Sequence, residues 1–279
     1  MQTAVLTAAA RAFDTAAANF DERFGAWRSV SAQRDAVRRA LARAFPAGAR
    51  VLELGGGTGE DARWLCERGR LVLLTDPSPA MVRIAREKLR ACGAPSPIAC
   101  AAEQLAELAE SQELAAEPRF DGAFSNFAAL NCVVDLEPVA QGLARLLPEG
   151  SKALLVLFGT ACPGEVIVQL MRGDARAAVR RLSRGDVPAR LGGQDFVVRY
   201  HRPREIRDAM SPWFRLTARR GIGVLVPPSA AEPWISRHQR LLGFMEHADR
   251  TLSRPFALLG DHVLYEFERT AAPSPRSAA

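Results

Sequence analysis

Between Val51 and Gly59 the chain reads VLELGGGTG, an apolar stretch that opens into four glycines, Gly55, Gly56, Gly57 and Gly59, around a single threonine. Glycine lets backbone N–H groups approach a ligand with no Cβ in the way, so a strand that runs into such a turn and then a helix is a ligand-binding geometry. A second apolar stretch, LVLLT, leads to Asp76, and the offset from Gly55 (76 − 55) is 21 residues. At an offset of about 20 residues a carboxylate at the end of the second strand meets the hydroxyls of a ribose. A dinucleotide turn requires glycine at its sixth position, where this chain has Glu60. A carboxylate there also opposes a pyrophosphate resting on the helix N-terminus.

The elements that must hold these residues follow from apolar periodicity. A helix over 33–45, carrying Val37, Ala40, Leu41, Ala44 and Phe45 on one face, ends at Pro46-Ala47-Gly48. Strand and helix then alternate: strand 50–54, helix 61–68, strand 71–75, helix 79–92, strands 98–101 and 121–125, a helix bearing Leu136, Val139, Leu143, Leu146 and Leu147, and strand 152–158. A further helix with Ile206, Ala209, Met210 and Trp213 on one face, and strands 214–226 and 262–269, complete the pattern. Continuous apolar strands separated by helices imply a parallel sheet covered on both faces. The rhythm breaks at 159–203 and 227–260, which read as cap insertions lying beside the ligand, and 270–279 reads as a disordered tail.

A nucleoside ligand without phosphates, tolerated beside Glu53 and Glu60, fits S-adenosylmethionine: a ribose diol for Asp76, and a cationic sulfonium and ammonium near Glu53. The sequence resembles the class I S-adenosylmethionine-dependent methyltransferase superfamily, particularly the group with quinone-biosynthesis and other small-molecule enzymes. VLELGGGTG resembles its donor turn, LTDPSPAMV its second-strand acidic motif, CAAEQL the adenine-flanking segment, FDGAFSNF the fourth strand and LARLLPEGSKALLV the helix and fifth strand. Phe13-Asp14 and Phe20-Asp21 are similar to aromatic-Asp elements that precede the core in that group. The resemblance covers residues 10–158 well and the rest in outline. It implies one α/β, Rossmann-like domain over 1–279, with an N-terminal helical segment (1–46), a donor-binding core (47–158) and a seven-stranded, mostly parallel sheet. It also implies donor contacts for Glu53, Gly55, Gly57, Thr58, Gly59, Asp76, Pro77, Met81, Ala102, Glu103, Asn126 and Phe127. Where many relatives carry an acidic residue before Ala102-Glu103, this chain has Ala101.

Methyl transfer from a sulfonium is an in-line displacement and needs a base only when the acceptor must lose a proton. Asn131, Cys132, Tyr200 and Arg176 are the candidates for acceptor binding, and His201 is the candidate base because an imidazole titrates near neutrality. Residues 172–204 hold nine arginines, among them Arg172, Arg176, Arg180 and Arg184 at a spacing of four, against Asp174, Asp186 and Asp195. Their excess equals the net charge of the whole chain, +6. One helical stripe of these arginines would suit an acidic or carrier-tethered small-molecule acceptor. Alternatives that stay open are a nucleic-acid or protein acceptor, which sparse Tyr and Trp disfavour, and a non-catalytic donor-binding partner protein. A nicotinamide oxidoreductase is disfavoured by Glu60. Apolar residues make up 48% and charged residues 24% of the chain, within globular norms. No apolar run approaches a membrane span, no leader pattern opens the chain, and its five cysteines form no C-x-x-C pair. A cytoplasmic protein without a metal is expected, with a homodimer compatible.

Overall fold

The computed structural model describes residues 6–115, 119–127 and 129–271. Strands β1 (Arg50–Leu54), β2 (Leu71–Asp76), β3 (Ile98–Ala99), β4 (Gly122–Ser125), β5 (Lys152–Phe158), β8 (Phe214–Ile222) and β9 (His262–Arg269) form one sheet in the order β3-β2-β1-β4-β5-β9-β8. β6 (Asp186–Leu191) and β7 (Gln194–Arg199) form a separate antiparallel hairpin. Pairing is parallel from β3 to β5, whereas β9 runs antiparallel to both β5 and β8. The expected seven-stranded, mostly parallel sheet is therefore the fold.

Alternate residues along the strands feed two cores. Leu52, Leu54, Leu73, Ala123, Leu155 and Tyr265 pack with Leu105, Val139, Leu143 and Ile206. These belong to helices α6 (Leu105–Ala109), α8 (Glu137–Leu146) and α11 (Pro203–Met210), with α7 (Gln112–Ala115) beside α6. Val51, Val72, Leu74, Phe124 and Val156 face the other way, against Val37, Leu41, Leu65 and Ala85. Those side chains come from α3 (Arg28–Ala44), α4 (Glu60–Cys66) and α5 (Pro79–Leu89). Burial on both faces is what makes the strand sequences continuously apolar. In the β1–β2 register Leu54 lies opposite Thr75, and in the β1–β4 register opposite Ser125. The residues that leave these strands, Gly55, Asp76 and Asn126, therefore emerge at one edge of the sheet.

Over that edge lies α1 (Ala8–Ala16) followed by α2 (Phe20–Gly25). Asp14 accepts from Ser78 Oγ at 2.7 Å and from the Ala80 N–H at 2.8 Å, fixing α1 to the start of α5. Asp21 accepts from Thr58 Oγ1 at 2.6 Å and from Lys88 Nζ at 2.5 Å, and the same ammonium donates to Glu60 Oε1 at 2.6 Å. Lys88 thus ties α2 to both the glycine turn and α5. Rings of Phe13, Phe20, Phe24 and Trp27 run along the segment, each 4.8 to 6.1 Å from the next, and Phe196 of β7 meets Phe13 at 5.9 Å.

The insertion over 159–203 departs from the single helix its arginine spacing suggests. Helix α9 (Pro163–Met171) stops at Gly173, whose φ is 77°, and Asp174 caps a new short helix, α10 (Ala175–Val179), by accepting from the Ala177 N–H. The glycine and the capping aspartate break the stripe. Arg180 and Arg181 are bound to Glu165, and the buried Arg181 also donates to Asp261 Oδ1 at 2.6 Å. The insertion over 227–260 contributes α12 (Trp234–Arg237) and α13 (Gln239–Leu252), docked to α3 through Ser29 Oγ donating to Glu232 at 2.7 Å. The tail expected to be disordered lies outside the described residues beyond 271. Among the described residues, no helix is long and apolar enough to cross a membrane.

Replacement of Lys88 by Met removes the ammonium's three hydrogen bonds, to Asp21, Thr58 and Glu60, each charge-assisted bond being worth about 1.5–3 kcal/mol when partly buried, and leaves the sheet untouched. Backbone hydrogen exchange across 17–27 is expected to quicken at least about tenfold in Lys88→Met, with the exchange of β1, β4 and β5 unchanged.

Candidate functional site

The glycine turn takes its path from close packing. Gly56 N–H donates to the Thr75 carbonyl at 3.1 Å, and a Cβ on Gly56 would fall 2.5 Å from Leu74 and 2.8 Å from the Glu53 carboxyl carbon. Gly55, at φ 61°, would place a Cβ 2.4 Å from that of Ala129. A side chain at either position would push the turn off the sheet edge. Held in place, the turn lets the Gly57 N–H donate to Asp76 Oδ2 at 2.9 Å, while the Ser78 N–H donates to Oδ1 at 2.9 Å.

These residues border a cavity of about 420 Å³, within the range of about 300–1,000 Å³ usual for small-molecule sites. Its floor is the sheet edge, with Glu53, Gly55, Gly57, Thr58, Asp76, Pro77, Met81, Ala102, Glu103, Asn126 and Phe127 all on the wall. Gly59, also expected at the ligand, is not on the wall; at φ 83° it precedes α4, and a Cβ there would fall 3.2 Å from that of Ala85. The roof consists of α1, α2 and the first turns of α3, through Phe13, Phe20, Phe24, Val30, Ser31, Arg34 and Arg38. No residue of 159–203 or 227–260 borders it. The insertions were expected beside the ligand; the N-terminal helices occupy that place instead, and the insertions buttress them, the β6–β7 hairpin against α1 and α12 against α3.

Two carboxylates at the floor are held out of water. Burial pushes the Glu53 carboxyl well above the usual range, and the nearby charges of Asp61 and Asp76 push the same way, against Arg34 and Arg38. Its Oε2 has no hydrogen-bond partner among the described residues. Burial raises Asp76 to about 6 in spite of its two backbone N–H bonds. A carboxylate oxygen accepts at two lone pairs, so each Asp76 oxygen keeps one open. The floor can therefore receive a cation or ammonium donors at Glu53 and a pair of hydroxyls at Asp76.

Asn126 donates through Nδ2 to Asp61 at 2.7 Å and accepts from the Phe127 N–H at 2.8 Å, so its polar atoms are engaged in shaping the wall. Asp61 is in turn fixed by Arg38 Nε at 2.7 Å. Phe127, on the cavity wall, sits at φ 48°, a left-handed conformation that costs a bulky residue energy, with its ring edge-to-face with His262, centroids 5.7 Å apart. Thr58, expected at the ligand, spends its hydroxyl on Asp21.

The acceptor-side expectations divide. Cys132 borders the cavity, but burial, with Asp76 and Glu103 nearby, pushes its thiol up to about 12, so it stays protonated and is no nucleophile. Asn131 points away: its Nδ2 donates to the Arg199 carbonyl at 2.6 Å and its Oδ1 accepts from the Phe158 N–H at 2.9 Å. Tyr200 is buried against Phe158 beneath Arg181, off the wall. His201 is also off the wall, and its Nε2 lies 2.8 Å from the Val133 carbonyl, which can only accept, so that nitrogen carries the proton. Burial lowers its pKa, leaving a neutral ring that ties two segments together rather than a base at the site. Arg176 is exposed and does not border the cavity. Sequence reasoning missed Val30, Ser31, Arg34 and Arg38; the signal available was the spacing of Val30, Arg34 and Arg38 along one face of α3, which begins at Arg28.

Residues 51–150 match the family model described as a methyltransferase domain. No curated protein matches the chain. Among solved structures, a putative S-adenosylmethionine-dependent methyltransferase from Listeria monocytogenes is similar in fold, at 15% identity over 83% of this chain and 96% of that one, with a TM-score of 0.53. A chain of the complex between the Haloferax volcanii Trm112 methyltransferase activator and a putative methyltransferase aligns at 17% identity, over 94% of this chain and 98% of that one, with a TM-score of 0.52. The PH0226 protein from Pyrococcus horikoshii aligns at 14% identity over 84% and 88%, with a TM-score of 0.51. Residues 51–150, the strands and turn that build the cavity floor, thus form a methyltransferase domain, and S-adenosylmethionine is the methyl donor that such a domain takes.

Proposed function

We propose that the enzyme methylates a small molecule, in biosynthesis or specialised metabolism, inside the cavity roofed by α1–α3. The observation that carries this reading is the roof itself: Phe13, Phe20 and Phe24 cover a cavity whose floor already holds the donor-binding elements, so an acceptor must fit beneath them. In this reading Glu53 receives the methionine ammonium with its unpartnered oxygen, and Asp76 accepts from both ribose hydroxyls. Gly55 and Gly57 admit the donor's backbone-facing side, Pro77 and Met81 pack on adenine, and Ala102 and Glu103 border its edge. Thr58 and Gly59 shape the turn, and Asn126 holds Phe127 beside the reacting methyl. Five cysteines without a C-x-x-C pair suit a reducing, cytoplasmic setting.

The donor supplies an electrophilic methyl group on a sulfonium. What remains for the protein is to align an acceptor in line with that bond and to exclude water. The aromatic roof does the second. No histidine borders the cavity among the described residues, so proximity and desolvation, rather than an imidazole base, carry the rate.

Ribose recognition needs an ionised Asp76. With its carboxyl at about 6, the ionised fraction falls from nearly all at pH 7.5 to about one tenth at pH 5. Affinity for S-adenosylhomocysteine, measured by fluorescence or calorimetry, is expected to weaken about tenfold over that interval; a flat profile would remove Asp76 from the ribose. For the acceptor class, the enzyme can be incubated with methyl-labelled donor and size-fractionated cell extract. Label is expected in the fraction below about 1 kDa, within the size that a cavity of this class encloses, and label confined to protein or nucleic acid would overturn the proposal.

A further inference from the structure

Helix α9 is turned inside out. Its inward face carries the polar side chains Glu165 and Gln169, both buried, while Ile167, Leu170 and Met171 face outward, Met171 being 83% exposed. A helix on a water-facing surface has the opposite arrangement. Val179 of α10 and Leu182 just beyond it are more than half exposed as well, and α10 packs on α9, so the five apolar side chains belong to one short stretch of surface. Exposed apolar residues scattered singly need no explanation, but a group of this kind marks a docking face. The second insertion lies alongside: Val168 of α9 and Met245 of α13 close over the same small core around Ile235, and the neighbouring Trp234 and Phe244 are exposed, Phe244 to 68%.

What covers such a face is decided by the charges around it. Arg172, Arg176 and Arg184 are exposed. Of the two carboxylates between 163 and 184, Glu165 is spent on Arg180 and Arg181, and Asp174 on the α10 cap. The second insertion repeats the pattern: Arg237, Arg240 and Arg250 are exposed, whereas Asp249 accepts from the N–H groups of Val224, Leu225 and Val226. A second copy of the chain would set arginine against arginine, which opposes association. A nucleic acid would satisfy the arginines and leave the outward apolar side chains against a charged backbone. An anionic bilayer satisfies both, with headgroups at the guanidinium rim, aliphatic side chains in the acyl boundary and a Trp ring at the interface. We propose that the α9–α10 face, with Trp234 and Phe244 beside it, docks the protein on an anionic lipid surface without crossing it.

The test is co-sedimentation of the full chain with vesicles of phosphatidylcholine alone and of phosphatidylcholine mixed equally with phosphatidylglycerol. Two double variants, Leu170→Ser with Met171→Ser and Arg172→Gln with Arg176→Gln, alter exposed side chains only and are expected to keep the wild-type melting midpoint. The wild type is expected to bind the acidic vesicles at least about tenfold more tightly than the neutral ones. Loss of the two arginines should weaken that binding about 20-fold, roughly fivefold for each, and loss of the two apolar side chains about tenfold or more. Phosphatidylcholine brominated in its acyl chains, placed in the acidic vesicles, should quench the tryptophan emission of the wild type and quench that of Trp234→Phe much less. A wild type that left the acidic vesicles unbound would overturn the proposal. So would binding that the Leu170→Ser, Met171→Ser variant keeps in full, because the positive charge of the chain would then adsorb without using the apolar face. Quenching that Trp234→Phe left unchanged would place another surface at the bilayer and also overturn it. A dimer seen by sedimentation velocity without lipid, and abolished in the Leu170→Ser, Met171→Ser variant, would assign the face to a second copy instead.

Discussion

Two carboxylates, Glu53 and Asp76, are kept out of water at the ends of neighbouring parallel strands, and much of the structure exists to hold them there. Desolvation raises both, and the cost persists until a ligand brings a cation and hydroxyl donors to them. The glycine turn is the means by which that cost is contained, since only a turn lying flat on Leu74 can direct the Gly57 N–H at Asp76. The sheet order brings β1, β2 and β4 side by side with level ends, so the turn, Asp76 and Asn126 share one edge.

Closing that edge falls to residues N-terminal to the sheet. Asp14 and Asp21 anchor α1 and α2 onto the glycine turn and α5 by hydrogen bonds and an ion pair, and the aromatic series along the segment supplies the apolar inner surface. The insertions act at one remove. Arg181, buried between Glu165 and Asp261 and lying over Phe158, fixes the first insertion to the β5 and β9 ends. Breaking such a buried network by removing one partner typically costs about 3–5 kcal/mol, which is why this arginine serves the architecture and is unavailable to a ligand. Much of the positive charge that drew attention to this insertion is either spent in this way or solvated.

How far the sequence could be read depended on the kind of signal. β1, β5 and β9 have the boundaries expected from apolar runs and alternation, because each is flanked by turn residues or charges that end it sharply. The glycine turn and Asp76 were legible because their chemistry demands particular residue types at a particular offset. The arginine stripe misled because spacing by four says nothing when a Gly173-Asp174 pair restarts the helix. Asn131 and Cys132 are adjacent on a 3-10 turn, and no sequence pattern tells which of the two faces the cavity. The roof was only partly visible: α3 begins at Arg28, and its first turns, which place Val30 and Arg34, lack the apolar repeat that marks the rest of the helix.

The central claim is that this edge of the sheet receives a sulfonium-type nucleoside donor rather than a dinucleotide. Parallel calorimetric titrations of the full chain with S-adenosylhomocysteine and with NAD test it most directly. The arrangement of Glu53, Asp76 and Glu60 predicts one-to-one binding of S-adenosylhomocysteine and no heat from NAD. Saturable NAD binding with no response to S-adenosylhomocysteine would contradict it.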